Sequence, residues 1–385
     1  MRICIVSSSF YPATSYGGPI SATWDLSRKL AKKGIKVYVS TTNANGNSKL
    51  NETKNTFIKK DENLFVKYYN EQLINKLSLS FLFGIWSDIK NSDVVYIQYV
   101  FHYTVPFALL CSVFLNKKII LCPRGSLGEW GLQYKWKSIK KIWVSLFLRP
   151  FISKITMQAS SYIEKDDILR NYPNAKVKII NDGVDFISFQ NAQKLSRKEI
   201  IERFSDSTCD DVSNIFFSMG RLHEIKGFDV IIDAFSLYLK DDKNAKLIIA
   251  GADDGVKSNL EFQILDLQLQ ESVFLIGEVG FENKKLLLNN CDYFTLASEF
   301  ESFGIVIAEA LSCGKPVILS NKTPWKDLEI NKCGILADND KISFFNAFTK
   351  IVNEKYDSKM IKSYVRSNYD WEVIVDRFIR ILKNK

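Results

Sequence analysis

Glu301 and Glu309 stand eight residues apart in Ala297-Ser-Glu-Phe-Glu-Ser-Phe-Gly-Ile-Val-Ile-Ala-Glu-Ala310, a stretch that reads as the end of a strand followed by a helix opening near Phe303. On a continuous helix that spacing amounts to about 80° of rotation and about 12 Å of rise. Both carboxylates could then edge one ligand without touching each other. The free N–H groups around Phe303, Gly304 and Ile305 would form an anion site at the helix start, with Gly304 allowing close approach. A diphosphate flanked by two hydroxyl-binding carboxylates fits this layout. An ordinary amphipathic helix with solvated glutamates has a similar appearance, but Glu309 lies within an apolar run, where an unpaired charge is costly.

A second stretch, Met219-Gly-Arg-Leu-His-Glu-Ile-Lys-Gly-Phe228, also joins a strand to a helix. Gly220 opens the loop, Arg221 can fork onto phosphate oxygens, and Lys226 adds a point charge. No GK[ST] follows, so it is not a Walker loop. Taken alone it could be a charged surface loop. In the first half, Tyr16-Gly17-Gly18-Pro19 precedes a helix beginning near Ile20, so Gly17 and Gly18 would admit a phosphate or simply make a turn. Cys122-Pro-Arg-Gly-Ser126 puts Arg124 at a strand end, suited to an anionic or hydroxyl-rich ligand or to a structural turn. His102, in Gln98-Tyr-Val-Phe-His102, is a candidate catalyst or an interior histidine, and His223 reads as a loop residue. The segment 135–149 mixes lysines with Trp136, Trp143 and Phe147, which suits an interfacial helix on anionic lipid or a core helix with a basic solvent face.

These loops need strands to end at them. Short β-branched runs alternate with segments of helical period, the pattern of βαβ units and parallel sheets. Strands are expected at 3–8, 36–41, 94–98, 118–122 and 177–180, then at 215–219, 246–250, 273–276, 293–296 and 316–320. The polar stretch 181–214 separates two α/β series. The expected domains are 1–185, with the last helix 368–385 folding back onto it, and 186–367, two doubly wound units facing across a cleft with ligands at the carboxyl ends of their strands.

The chain has 385 residues, 46% hydrophobic and 25% charged, enough for two folded domains. Its longest apolar run, Val105 to Leu115, is far short of the roughly 20 residues that span a bilayer. The start MRICIVSSSF reads as a first strand, so the chain is expected in the cytosol. Seven scattered cysteines and two histidines support neither a disulfide framework nor a metal centre. The net charge of +9 implies an anionic partner. No nucleic-acid recognition motif is present, and no nucleic acid is expected.

Taken together, GRLHEIKG, GADDG, LIGEV and EFESFGIVIAEALSCGKPVI resemble the donor-binding half of the retaining GT-B glycosyltransferases of family 4, and the resemblance extends from Gly17-Gly18 to the Trp371 helix. CPRGSLGEW and Thr323-Pro324-Trp325 resemble bacterial enzymes that build O-antigen, capsule or exopolysaccharide. The resemblance implies that Arg221 and Lys226 neutralise the diphosphate of a UDP- or GDP-sugar. It also implies that Glu309 holds the ribose and Glu301 the transferred sugar, with Phe303, Gly304 and Ile305 at the phosphate. Glu278 and Val279 would lie near the base. His102 would be catalytic with Arg221, Lys226 and Glu301, while Gln98 and Arg124 would meet a glycan or lipid-linked acceptor. No cofactor or metal is implied, and the expected place is the cytosolic face of the inner membrane. Two positions depart from the family: Gln98 where many relatives carry histidine, and Asp182 in the usual Asn-Gly. A nucleotide-sugar epimerase, a pyridoxal-dependent phosphorylase and a catalytically silent sugar-nucleotide-binding or assembly protein are the rivals. No sequence signal supports a Schiff-base lysine.

Overall fold

The computed structural model describes residues 1–13, 17–72, 77–133, 137–205, 207 and 211–383. Tyr16, Lys135, Trp136 and Cys209 lie outside the described residues. The chain divides into two units, Met1–Gly183 with Trp371–Lys385, and Val184–Asp370.

The first unit runs β1 (Arg2–Val6), α1 (Gly18–Lys32), β2 (Lys36–Thr42), β3 (Ala44–Asn45), β4 (Ser48–Lys49), β5 (Phe57–Asp61), β6 (Leu64–Tyr69) and α2 (Leu79–Lys90). It continues through β7 (Val94–Gln98), α3 (Thr104–Phe114), β8 (Lys118–Cys122), α4 (Glu129–Gln133), α5 (Lys137–Phe147), β9 (Ile155–Ala159), α6 (Tyr162–Asn171) and β10 (Lys176–Ile179). Its main sheet has the order β10-β9-β8-β7-β1-β2-β6-β5, parallel except for the β5–β6 pair. The central strands RICIV and VVYIQ are buried almost throughout, as a sheet covered on both faces requires. Its topological switch lies between β1, which leads into the Gly17 loop, and β7, which ends at Gln98.

The second unit runs α7 (Arg197–Phe204), β11 (Ile215–Met219), α8 (Phe228–Tyr238), β12 (Lys246–Ala250), α9 (Lys257–Asp266), β13 (Val273–Leu275) and α10 (Phe281–Asn290). Then follow β14 (Tyr293–Leu296), α11 (Ile305–Ser312), β15 (Val317–Ser320), β16 (Gly334–Ala337), α12 (Lys341–Asn353) and α13 (Ser358–Tyr369). Its sheet is wholly parallel, in the order β13-β12-β11-β14-β15-β16. This is the doubly wound order in which the crevice lies beyond the first and fourth strands, here β11 and β14. Apolar cores cover both faces, one centred on Phe217, Phe294 and Ile307 and the other on Phe216, Phe235 and Phe348.

Six strands were not expected from the sequence: the two-residue β3 and β4, and β5, β6, β9 and β16. The β5–β6 pair is rich in lysine because it closes an edge, β9 (ITMQA) buries polar Thr156 and Gln158, and β16 is only four residues long. The helix expected to open near Phe303 starts two residues later. Gly304 adopts a left-handed φ of 83°, so α11 begins at Ile305 and Glu301 stays in the preceding loop.

The last helix, α14 (Trp371–Lys383), packs on α1 in the first unit. Its inner face buries Trp371, Ile374, Val375, Phe378 and Leu382, and Lys29 of α1 and Lys33 just beyond it reach Glu372 and Asp376 at 3.0 Å each. A Cβ on Gly183 would come within 2.4 Å of the Trp371 ring. Trp371→Ala is expected to cost about 3–5 kcal/mol in denaturant unfolding. Gly183→Ala should also destabilise, by forcing that ring aside.

Candidate active site

The second unit's crevice is built from backbone first. The Gly220 N–H extends the ladder to Ala250 O at 3.0 Å and the Leu222 N–H reaches Ala252 O at 2.8 Å, burying Leu222. Arg221 between them projects outward and pairs with Asp254 at 2.5 Å. A Cβ on Gly251 would stand 1.7 Å from the Gly220 carbonyl oxygen, and the Gly251 N–H donates to Gly277 O at 2.8 Å. The loops after β11, β12 and β13 are therefore joined through main chain. Glu278 is exposed at the β13 end, and Val279 packs partly into the core.

His223 has a local structural role: its Nδ1 accepts the Ile225 N–H at 3.1 Å, shaping the turn that presents Lys226. Gly227 is left-handed at φ 63°, and a Cβ there would lie 2.2 Å from Ala297 O. This contact and the Glu299 N–H to Ile225 O bond of 2.8 Å bring the loop after β14 against the loop after β11. Across that seam Lys226 Nζ meets Glu301 Oε1 at 2.5 Å, and the same oxygen accepts from Ser298 Oγ at 2.9 Å. Both charged side chains are mostly buried, so their pairing is stronger than that of a typical surface pair.

Beside this pair, α11 starts without a side-chain cap. The N–H groups of its first turn and the positive end of its dipole make an anion-binding terminus. Phe303 supplies only backbone here. Its ring is buried beside Trp325 and Tyr369, with centroids 5.3 and 5.5 Å away, and its carbonyl accepts Trp325 Nε1–H at 2.7 Å. Glu309 is nearly buried and paired with Lys284 Nζ of α10 at 2.6 Å, which supplies the partner its apolar setting demands. Lys284, 25 residues away, left no local signal in the sequence.

In the first unit, Gly17 is left-handed at φ 73° ahead of α1, with open space where a side chain would start, and Gly18 is exposed. Arg124, itself left-handed at φ 56°, is buried; its Nε–H donates to Gln98 Oε1 at 3.0 Å and its Nη1 pairs with Asp182. Burial disfavours the guanidinium charge, but Asp182 together with Cys122, Tyr96 and Tyr99 more than offsets it and holds Arg124 protonated. Its charge is thus neutralised internally, and the Asp182 departure from the family pattern has a structural partner. Gln98 is buried, and with its oxygen committed to Arg124 its Nε2 has no hydrogen-bond partner among the described residues. The Gly125 N–H donates to buried Glu164 at 2.6 Å, as do both the N–H and the hydroxyl of Ser160. Burial pushes that carboxyl above its usual range against these bonds. His102 Nδ1 accepts the Thr104 N–H at 3.4 Å and lies 2.9 Å from the Thr104 hydroxyl at the start of α3. Among the described residues, no cluster of three or more His, Cys, Asp or Glu could hold a metal ion.

Residues 199–368 match the family described as Glycosyl transferases group 1. The chain is 26% identical over 246 residues to alpha-1,3/1,6-mannosyltransferase ALG2 of Dictyostelium discoideum, covering 58% of each. It is 25% identical over 300 residues to the GDP-mannose:cellobiosyl-diphosphopolyprenol alpha-mannosyltransferase of Xanthomonas oryzae pv. oryzae, covering 76% of this chain and 74% of that one. The structure of Anabaena HepE in complex with UDP and glucose superposes with a TM-score of 0.77 at 16% identity, covering 99% of both chains. The match to the Dictyostelium relative thus spans little more than half of that protein's length. The fold is GT-B, and the second unit belongs to the glycosyl transferases group 1 family. The resemblance of the GRL-x3-KG and Glu-x7-Glu motifs is borne out at that level.

Gly251→Ala should cost about 3 kcal/mol in chemical unfolding, because no rotamer relieves a clash with the Gly220 carbonyl. Gly280→Ala, at an ordinary φ of −70° with nothing near its Cβ, should change stability by less than about 0.5 kcal/mol.

Proposed function

We propose that this protein is a retaining glycosyltransferase that moves a sugar from a UDP- or GDP-sugar to a growing, lipid-linked bacterial surface glycan at the cytosolic face of the inner membrane. The observation that carries the reading is the Lys226–Glu301 pair at the β11/β14 crevice, set beside the uncapped start of α11. A diphosphate at that helix start would draw Lys226 from Glu301 and Arg221 from Asp254. Glu301 would then accept hydroxyls of the sugar, and Glu309, held in place by Lys284, those of the ribose.

The chemistry follows from this placement. Lys226, Arg221 and the α11 amides stabilise charge that develops as the sugar–phosphate bond breaks. The acceptor hydroxyl attacks on the face from which the diphosphate leaves, and its proton passes to a phosphate oxygen. A glycosidase-type pair of carboxylates flanking the bond is not required. The name of the Xanthomonas relative includes GDP-mannose and a diphosphopolyprenol, and the HepE structure holds UDP, which supports both donor classes and the lipid-linked acceptor.

Thermal stabilisation by UDP, GDP and ADP tests the donor site. One nucleotide should raise the Tm of the wild type, and Glu309→Gln should lose most of that rise. If no nucleotide shifts the wild type, the donor assignment fails. Once the donor is known, Lys226→Ala should lower kcat by roughly 10²–10³-fold, the scale of a lost charge-stabilising donor. The product's anomeric configuration, read by NMR, should match the donor's.

A further inference from the structure

The outer surface of the helices α2, α3 and α5 is apolar in a way that the site does not use. All three cover one face of the first unit's sheet: Phe81, Ile85 and Ile89 of α2, Val105 and Leu109 of α3, and Trp143 and Val144 of α5 pack on the same core. Their opposite sides therefore point away from that sheet face. On α2 this side carries Phe83 and Trp86, with Phe83 85% exposed, and on α3 Phe107, Leu110 and Phe114, the last 76% exposed. On α5 it carries Ile139, Ile142 and Leu146, at 55%, 59% and 61%. The spacing within each helix is three or four residues, a stripe and not scattered exposure. Soluble surfaces rarely present such an expanse without a partner.

Of the two arrangements left open for the segment 135–149, the described aromatic rings follow the core-packing one. Trp143 and Phe147 turn inward, Trp143 donating its Nε1–H to Val100 O at 3.0 Å with the Phe147 ring 4.8 Å away. Aliphatic side chains form the outer stripe instead. No residue of α5 is fully buried.

Charge identifies the occupant. Lys137, Lys141 and Arg149 are exposed along and just beyond α5, and Lys90 closes α2. The single carboxylate on α2, α3, α5 or the turn Arg149–Lys154 is Asp88, which is buried under Lys67, Tyr69 and Ser40. An apolar stripe flanked by cations and free of outward carboxylates complements anionic lipid headgroups over acyl chains. A second copy of the same face would bring like charges together. No described helix is long and apolar enough to cross a membrane, so the contact is one of lying on the surface.

We infer that the α2–α3–α5 face docks the protein on an anionic bilayer, a partner surface that accords with the lipid-linked acceptor proposed above and rests on that reading. The test is flotation of the full chain with phosphatidylcholine vesicles, with and without phosphatidylglycerol, at low and high salt. Wild type should bind the anionic vesicles and lose binding at high salt. The triple change Lys137→Gln, Lys141→Gln and Arg149→Gln should weaken partitioning about fivefold per charge. Ile139→Ser with Ile142→Ser and Leu146→Ser should weaken it roughly tenfold or more, as should Phe83→Ser with Phe114→Ser. Stabilisation by nucleotide should be unchanged in every variant, which separates this surface from the donor site. No binding to anionic vesicles at low salt, or equal binding by wild type and variants, overturns the inference. So does a concentration-dependent dimer that the serine variants abolish, which would assign the face to a second copy.

Discussion

The Gly220 carbonyl occupies the space in which any side chain at Gly251 would begin, and the rest of the donor-side architecture depends on that approach of main chain to main chain. With the loops after β11 and β12 so close, the Gly220 and Leu222 amides extend the sheet's hydrogen bonding beyond its strands and Arg221 is forced outward. Gly227 against Ala297 repeats the device across the switch point. Two loops from non-consecutive strands are thereby held rigidly enough for a lysine on one to meet a glutamate on the other.

The charges at this edge are stored in pairs: Arg221 with Asp254, Lys226 with Glu301, Lys284 with Glu309. Lys226 and Lys284 are mostly buried and would be costly unpaired, so Glu301 and Glu309 have a structural duty alongside any duty to a ligand, whereas the Arg221–Asp254 pair is exposed. Under the proposed function the pairing would make the site an exchanger: an incoming diphosphate would offer Lys226 and Arg221 a denser anion than a single carboxylate, and the released carboxylates would accept hydroxyls. Arg124 and Asp182 in the first unit show the contrasting case, since that pair is enclosed and fixes Gln98.

Much of this was legible in the residues themselves. β-Branched runs marked the central parallel strands because such strands are buried on both faces, and the Ala297–Ala310 stretch was legible as a strand end leading into a helix. Edge and polar-lined strands such as β5 and β9 lacked that signature. Gly304 signalled a close approach but not its left-handed φ, which shortens α11 and leaves Glu301 in a loop. Lys284 and Asp182 were invisible as partners because their pairings are tertiary, and the inward turn of Trp143 depends on a carbonyl 43 residues away.

The central claim is that Lys226 exchanges Glu301 for the donor's diphosphate. Calorimetric titration of UDP and UMP, or of GDP and GMP, into the wild type and Lys226→Met measures this directly. The account predicts that the wild type prefers the diphosphate by at least roughly tenfold, about 1.4 kcal/mol, and that Lys226→Met loses most of this preference while keeping its affinity for the monophosphate. A variant that retains the full preference would contradict it.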